Sequence, residues 1–195
     1  SMQVKFIENV MELYENGENR ALLISSSGSG KTYASAFALR EILRKREKET
    51  GRNVRALFVV HREQIAKQAV KSYKNVFGEK YSFGLLSGNS KDYNSDLLFS
   101  TMQMMAREDI MTKFNENDFD IIIIDEVHRA GADSYQRIMD YFMPRFWIGM
   151  TASPDRTDGY DIYGLFDHNI AYEIRLQQAM EEKLLCPFHY FGITD

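Results

Sequence analysis

The chain has 195 residues, 44% hydrophobic and 27% charged, which is the composition of an ordinary globular protein with a sizeable core. Its formal net charge of −4 argues against a wholly basic nucleic-acid-binding protein but leaves room for a local basic groove. The sequence shows no signal peptide and no apolar run of about 18 residues, and its single cysteine, Cys186, excludes an internal disulfide. We therefore expect a cytoplasmic protein without a membrane partner.

Apolar runs of strand length alternate along the chain with segments of helical periodicity. A helix is predicted over residues 2–15, and strands over residues 21–25, 55–61, 81–87, 97–101, 120–125 and 146–151. Several of these runs, such as IIII, are apolar without alternation, which is typical of strands covered on both faces of a parallel sheet. The order of elements predicts an α/β fold with a mostly parallel, doubly wound sheet and helices on both faces.

Charge patterns further characterise the helices and the tail. The helix predicted over residues 63–77 has an apolar face and a basic face, formed by Ile65, Ala69, Tyr73 and Val76 and by Lys67, Lys71 and Lys74. The lysines indicate a solvated face, with a nucleic-acid phosphate track as the second interpretation. The run RKREKET at residues 44–50 is interpreted as the solvated end of the second helix and its exit loop. Residues 169–195 are predicted to form strand, helix and strand.

The most specific local signal is SSSGSGKT, which lies between the first predicted strand and a helix. Glycine and serine let the backbone curl so that successive N–H groups converge on a phosphate, and the following helix adds the positive end of its dipole. Lys31 is placed to reach the β- and γ-phosphates, and Thr32 to ligate Mg²⁺. Position 25 is serine where the full P-loop pattern has glycine, whereas Gly28 and Gly30 are present.

A second signal, DIIIIDEVH, ends a hydrophobic strand in two carboxylates. In a P-loop fold we expect Asp125 to lie beside the phosphate loop that follows the first strand and to hold Mg²⁺, and Glu126 to orient and deprotonate an attacking water. Alone, this strand end could be surface charge and His128 a structural histidine. Together with GSGKT upstream, it favours a site that hydrolyses a nucleotide.

With these motifs the sequence resembles superfamily two helicases of the DEAD/DEAH group. DEVH is similar to that group's Asp-Glu-x-His box, and SSSGSGKT to its motif I, which tolerates the missing first glycine. IGMTASPDRTDG resembles motif III, with Ser153 where threonine is usual, LFVVHREQIAKQA resembles motif Ia, and LLFSTMQMM a later nucleic-acid-contacting segment. The resemblance is greatest to proteins related to type III restriction-enzyme helicase subunits and bacterial DNA-repair helicases. It implies a RecA-like P-loop NTPase domain.

The resemblance also implies roles for individual residues at the nucleotide site. The residues expected to bind the ATP phosphates are Gly28, Ser29, Gly30, Lys31 and Thr32. Thr32 and Asp125 are expected to hold Mg²⁺, and Glu126 to activate water, so that Glu126, Asp125 and Lys31 form the catalytic set. Gln3 is a counterpart of the glutamine that reads adenine, with a simply solvated glutamine as the alternative. Coupling of this site to nucleic acid falls to His128, Thr151 and Ser153.

For the nucleic-acid face, the resemblance nominates His61 and Arg62 in motif Ia, with Ser87, Gly88 and Thr101 nearby. Hydroxyls, backbone N–H groups and one or two cations suit phosphate contacts that carry no sequence information. DNA is expected in preference to RNA.

We therefore predict the ATP-binding motor domain of an ATP-dependent helicase or translocase over residues 1–195, with residues 169–195 leading towards a second RecA-like domain. Because in this family the second domain supplies arginines that stabilise the transferred phosphoryl group, we expect these residues alone to hydrolyse ATP barely, if at all. The alternative is a P-loop ATPase switch of a signalling or remodelling protein that does not bind nucleic acid. Motif III and the HRE segment favour the helicase interpretation.

Overall fold

The computed structural model describes residues 2–25, 28–125, 132–152 and 162–174. The helices and strands along these residues are α1 (Met2–Glu15), β1 (Arg20–Ser25), α2 (Gly28–Thr50), β2 (Ala56–Val60), α3 (Glu63–Phe77), β3 (Phe83–Leu86), β4 (Leu97–Thr101), α4 (Met102–Met105), α5 (Glu108–Met111), β5 (Ile121–Asp125), α6 (Ala132–Tyr141), β6 (Phe146–Thr151), α7 (Ile162–Leu165) and β7 (Ile170–Ile174).

These strands form one sheet in the order β3-β4-β2-β5-β6-β1-β7, and each pair of neighbours is parallel. The predicted α/β fold with a parallel sheet is therefore confirmed. Because parallel strands all run in one direction, their carboxyl ends lie along one edge of the sheet, which is where open α/β sheets bind ligands.

Helices cover both faces of the sheet, as predicted. One core contains α1, α2 and α3, with Val10 and Tyr73 among its fully buried residues. The other core contains α4, α5, α6 and α7, with Met105 and Phe166 among its fully buried residues. Successive β5 side chains alternate between the two cores, since Ile121 and Ile123 belong to the first and Ile122 and Ile124 to the second. This explains why β5 is apolar at its first four positions, before it ends in Asp125.

The segment RKREKET forms the end of the second helix, as predicted, but it contains no exit loop. It is helical throughout, because α2 continues to Thr50 and ends where Gly51 adopts a positive φ of 67°. The predicted exit loop is therefore wrong. Arg46, in the middle of this segment, is held by Asp120, the residue before β5.

The bounds of α3 match the prediction, but its buried face is shifted. The buried residues are Ala66, Ala69, Tyr73 and Phe77, whereas Ile65 and Val76 pack at the margin of the core. The small alanines allow α3 to lie close to the sheet, and the sequence pattern gave too much weight to the larger Ile65. The face carrying Lys67, Lys71 and Lys74 is exposed, which agrees with the interpretation of these lysines as a solvated face.

Smaller differences concern short elements. The structure shortens the predicted strands over residues 55–61 and 81–87 to β2 and β3. The four-residue helices α4 and α5 were not predicted, because one helical turn is too short to display a periodicity. Within the tail, β7 matches the predicted first strand, while Cys186 and the predicted helix and second strand lie outside the described residues.

A buried carboxylate joins three segments at the amino ends of the strands. Asp120, just before β5, has a side chain only 2% exposed and lies 3.1 Å from Arg46 Nε and 2.6 Å from an Arg52 guanidinium nitrogen. It also accepts the backbone N–H of Arg55, before β2, at 3.0 Å. Burial by itself would raise the pKa of Asp120, but the hydrogen bonds from Arg52, the Arg55 amide and Arg46 lower it below its ordinary value of 3.8.

At the centre of the sheet, one glycine makes room for an aromatic ring. A Cβ atom added to Gly149 in β6 would lie 2.3 Å from the Phe166 ring. Gly149 pairs with Leu22 on one side and Ile124 on the other. The ring of Phe166 therefore packs directly against the sheet backbone.

Among the described helices, none combines the length and the apolar character needed to cross a lipid bilayer.

We expect Asp120→Asn to lower the free energy of unfolding by about 2 kcal/mol at pH 7, because Arg46 and Arg52 lose a charged acceptor. Since the pKa of Asp120 is lower in the folded state, its contribution is complete above about pH 4 and is lost as the pH falls through the folded-state pKa. Urea unfolding of both proteins at pH 7 and pH 3 should show the difference shrinking in acid. Asp140→Asn, at an exposed position in α6, is the control, and equal urea midpoints for Asp120→Asn and the parent at pH 7 would contradict the prediction.

Candidate functional site

The carboxyl edge of the sheet brings a buried lysine and a buried aspartate together. Lys31 Nζ, in the first turns of α2, lies 3.7 Å from Asp125 Oδ1 at the end of β5, and the two side chains are 4% and 11% exposed. As expected from the sequence, Asp125 lies beside a residue of the predicted phosphate loop, although β6 separates its strand, β5, from β1. The lysine side chain bridges this distance. A buried carboxylate requires such a cation, because an isolated charge is costly to remove from water.

The predicted phosphate-loop residues lie at the head of α2. Gly28, Ser29, Gly30, Lys31 and Thr32 are consecutive from the first residue of this helix, and β1 ends a few residues earlier at the buried Ser25. The sequence of strand, short connection and helix is thus the predicted one. A helix of this length places its first N–H groups and the positive end of its dipole at these residues.

Between β1 and β5, the end of β6 completes the edge. Thr151 is fully buried and pairs with Ile24 of β1, while the preceding Met150 pairs with Asp125 of β5. Thr151 therefore lies between β1, which precedes the phosphate loop, and β5, which ends in Asp125. A residue that couples the nucleotide site to nucleic acid is expected at such a position. The other predicted residues of this group, Glu126, His128 and Ser153, lie outside the described residues.

The adenine-reading role of Gln3 stays a prediction. This residue lies in the first turn of α1 and is partly exposed. α1 packs against α2, the helix that begins with the phosphate loop. The far half of α1 is fixed to the sheet by the Asn9 side chain, which donates to the Ala171 carbonyl of β7 at 2.5 Å.

The residues nominated for nucleic acid differ in their exposure. Arg62 is exposed at the start of α3, and His61 beside it is partly exposed. Ser87 is fully buried and donates its hydroxyl to Glu63, and Thr101 caps α4 by accepting the Met104 N–H at 3.4 Å. In this arrangement the two hydroxyls bond within the protein itself, whereas Arg62 and Gly88 are exposed and His61 is partly exposed. The nucleic-acid role of all five residues stays a prediction.

Glu63, the first residue of α3, connects these segments and was not singled out from the sequence. Its carboxylate accepts the Ser87 hydroxyl and, at 3.1 Å, the Asn89 side-chain N–H. These bonds, from Ser87 first and then Asn89, lower the pKa of Glu63, so it stays ionised at neutral pH. The available signal was an acidic residue in the first turn of a helix directly after Arg62. Glu63 holds the loop after β3 against the start of α3.

The described residues suit a magnesium nucleotide. The hydroxyl of Thr32 and the carboxylate of Asp125 are the hard oxygen ligands that Mg²⁺ prefers. Lys31 is held beside them with little exposure to solvent, and a buried ammonium of this kind can exchange a carboxylate partner for phosphate oxygens. The chemistry of this set of groups therefore fits ATP with Mg²⁺.

Comparison with known proteins bears on this site. Residues 1–156 match the family model described as type III restriction enzyme, res subunit (ResIII). The chain belongs to the ResIII family. Membership confirms the predicted relationship with superfamily two helicases and restriction-enzyme helicase subunits.

Two curated relatives of this ResIII chain are longer proteins. The type I restriction enzyme EcoAI endonuclease subunit of Escherichia coli is 28% identical over 193 residues, which are 95% of this chain and 23% of that protein. The putative ATP-dependent helicase IRC3 of Saccharomyces cerevisiae is 26% identical over 194 residues, which are 96% of this chain and 28% of that protein. The chain thus spans about a quarter of the length of these relatives.

Among solved structures, a nuclease-deletion mutant of the type ISP restriction-modification enzyme LlaGI, in complex with a DNA substrate mimic, matches with a TM-score of 0.67. The two chains are 20% identical, and the match covers 94% of this chain and 20% of the LlaGI chain. At this identity the likeness shows the fold, and it confirms that the ResIII chain has the predicted RecA-like fold.

We expect Glu63→Ala to accelerate amide hydrogen exchange in residues 87–90, because the Ser87 and Asn89 side chains lose their shared acceptor. Exchange in the central strand β2 should stay unchanged. Hydrogen-exchange mass spectrometry measures both, with Glu79→Ala, at an exposed position after α3, as the control. Unchanged exchange in residues 87–90 would show that Glu63 does not hold this loop.

Proposed function

We propose that this ResIII chain is the first of two RecA-like domains of a helicase or translocase that hydrolyses ATP with Mg²⁺ and acts on nucleic acid, DNA in preference to RNA. The observation that supports it most is the pair Lys31 and Asp125, which lie 3.7 Å apart at the carboxyl edge of a parallel sheet and at the head of α2. A purely structural domain has no need to bury two opposite charges at the edge where this fold class binds nucleotides.

The proposed roles follow from the chemistry of the side chains. Lys31 and the N–H groups at the head of α2 bind the β- and γ-phosphates, and Thr32 and Asp125 hold the metal. Mg²⁺, when bound, neutralises charge on the phosphate oxygens. Until a nucleotide binds, Lys31 compensates the Asp125 charge, so the site is stable without ligand. Glu126, which follows Asp125 directly, accepts a proton from the attacking water.

The preference for DNA draws on two of the similar proteins. One is a restriction endonuclease subunit, and another, LlaGI, was solved with a DNA substrate mimic. On this chain, the exposed Arg62 and the partly exposed His61 beside it are the proposed contacts to the phosphate backbone. The second RecA-like domain and the cytoplasmic location belong to the proposal as well, and slow hydrolysis by these residues alone is expected from it.

Lys31→Ala should weaken binding of a magnesium-bound, non-hydrolysable ATP analogue about tenfold to a hundredfold, because the phosphates lose a charged donor. Isothermal titration calorimetry measures the change, with circular dichroism to show that the variant is folded. Lys48→Ala removes the same charge from an exposed position at the other end of α2, and its affinity should equal that of the parent. Equal affinities for Lys31→Ala and the parent would contradict the assigned role.

Binding of a single-stranded DNA oligonucleotide should weaken as salt increases, because phosphate contacts release counterions. Arg62→Ala should lower the magnitude of the logarithmic salt slope by about 0.7, the loss of one phosphate contact. Fluorescence anisotropy across a salt series measures both quantities, with Lys48→Ala again as the control and an RNA oligonucleotide of the same sequence for comparison. A slope unchanged by Arg62→Ala would remove motif Ia from the proposed contact surface, and tighter binding of the RNA would overturn the preference for DNA.

A further inference from the structure

A tyrosine hydroxyl lies buried within an aromatic cluster beneath the nucleotide site. Tyr73, on α3, is fully buried. Its ring contacts Phe58 of β2 edge-on, with centroids 5.3 Å apart, and Phe99 of β4 edge-on at 5.2 Å. A phenylalanine would fill the same space. The hydroxyl is therefore not required for packing, and burying it is costly unless it is hydrogen-bonded.

The hydroxyl is hydrogen-bonded to the helix that carries the phosphate loop. Tyr73 Oη lies 2.6 Å from Ser35 Oγ, and Ser35 Oγ donates to the Thr32 carbonyl at 2.7 Å. Because a serine hydroxyl has a single hydrogen, which Ser35 gives to Thr32, Tyr73 must be the donor in the first bond. A directed chain thus runs from α3, through Ser35, to the backbone of the residue expected to ligate Mg²⁺.

The chain of hydrogen bonds also lies within electrostatic reach of Asp125. Burial raises the pKa of Tyr73 far above its ordinary value, and the charge of Asp125 raises it further. The hydroxyl therefore keeps its proton and remains a donor. Besides this buried chain, the Asn75 side chain of α3 donates to the Tyr33 hydroxyl of α2 at 3.4 Å. Two neighbouring side chains of α3 thus hold the early part of α2.

We propose that Tyr73 is a positioning residue for the nucleotide site: its hydroxyl, acting through Ser35, holds the head of α2 in the orientation that presents Lys31 and Thr32 to a nucleotide. This inference rests on the proposed nucleotide-binding function. It gives α3, whose first turn follows the exposed Arg62, a direct mechanical connection to the phosphate loop.

The test compares nucleotide affinity in four proteins: the parent, Tyr73→Phe, Ser35→Ala and the double variant. Calorimetric titration with MgADP should show each single variant binding about fivefold more weakly, the size of one net hydrogen bond. The double variant should bind no more weakly than the weaker single variant, because both substitutions interrupt one chain.

Tyr14 provides the matched control. It is another buried tyrosine of the same core, and its hydroxyl bonds to Glu49 at the opposite end of α2. Tyr14→Phe should lower the melting temperature as Tyr73→Phe does while leaving MgADP affinity unchanged. If Tyr73→Phe likewise changes only the melting temperature, Tyr73 stabilises the fold without positioning the site and the inference is overturned.

The same titrations separate this inference from the proposed function. If the folded parent does not bind MgADP, the proposed function fails and the inference fails with it. If the parent binds MgADP and Lys31→Ala does not, while Tyr73→Phe binds like the parent, the proposed function stands and the inference alone fails.

Discussion

Two ion pairs join α2 to β5, one at the end of the strand and one at the residue directly before it. The geometry of the site depends on these two contacts. Lys31 and Asp125 meet at the carboxyl edge of the sheet, and Arg46 and Asp120 meet at the amino edge. The helix rises about 22 Å between its two cations, and the strand about 17 Å between its two carboxylates. Because both contacts must form together, they limit how far α2 can slide or tilt over the sheet. The phosphate-loop residues at the head of α2 therefore have a defined place relative to Asp125.

Much of the fold could be predicted because its long elements carry strong local patterns. The helices α1 and α3 and the strands β4 and β6 have the predicted bounds, since each displays a clear periodicity or an unbroken apolar run. The residues 44–50 could not be read in this way. Their charges suggest a solvated helix end and an exit loop, but all seven residues are helical, and Arg46 bonds to Asp120, 74 positions away in the sequence. A contact between residues so far apart cannot be predicted from the pattern of a short sequence segment.

At the site, sequence motifs identified which residues matter more reliably than what each one contacts. Lys31 and Asp125 could be paired because two specific motifs each predict a group for the same ligand. The hydroxyls of Ser87 and Thr101 were nominated for phosphate, yet one binds Glu63 and the other caps a helix. Hydroxyl groups suit many acceptors, so their partners depend on the fold. For the same reason, nothing local distinguishes Tyr73 from a phenylalanine of the core.

The close packing of Phe166 against Gly149 has an evolutionary consequence. The ring occupies the volume that any side chain at position 149 would need, so the two positions share one fixed space in a densely packed interior. Within ResIII proteins that keep this arrangement, a larger residue at position 149 should be accompanied by a smaller one at position 166. Joint substitution at positions 149 and 166 in an alignment would thus indicate that Phe166 packs against β6 in those proteins as well. Such a test requires sequences alone.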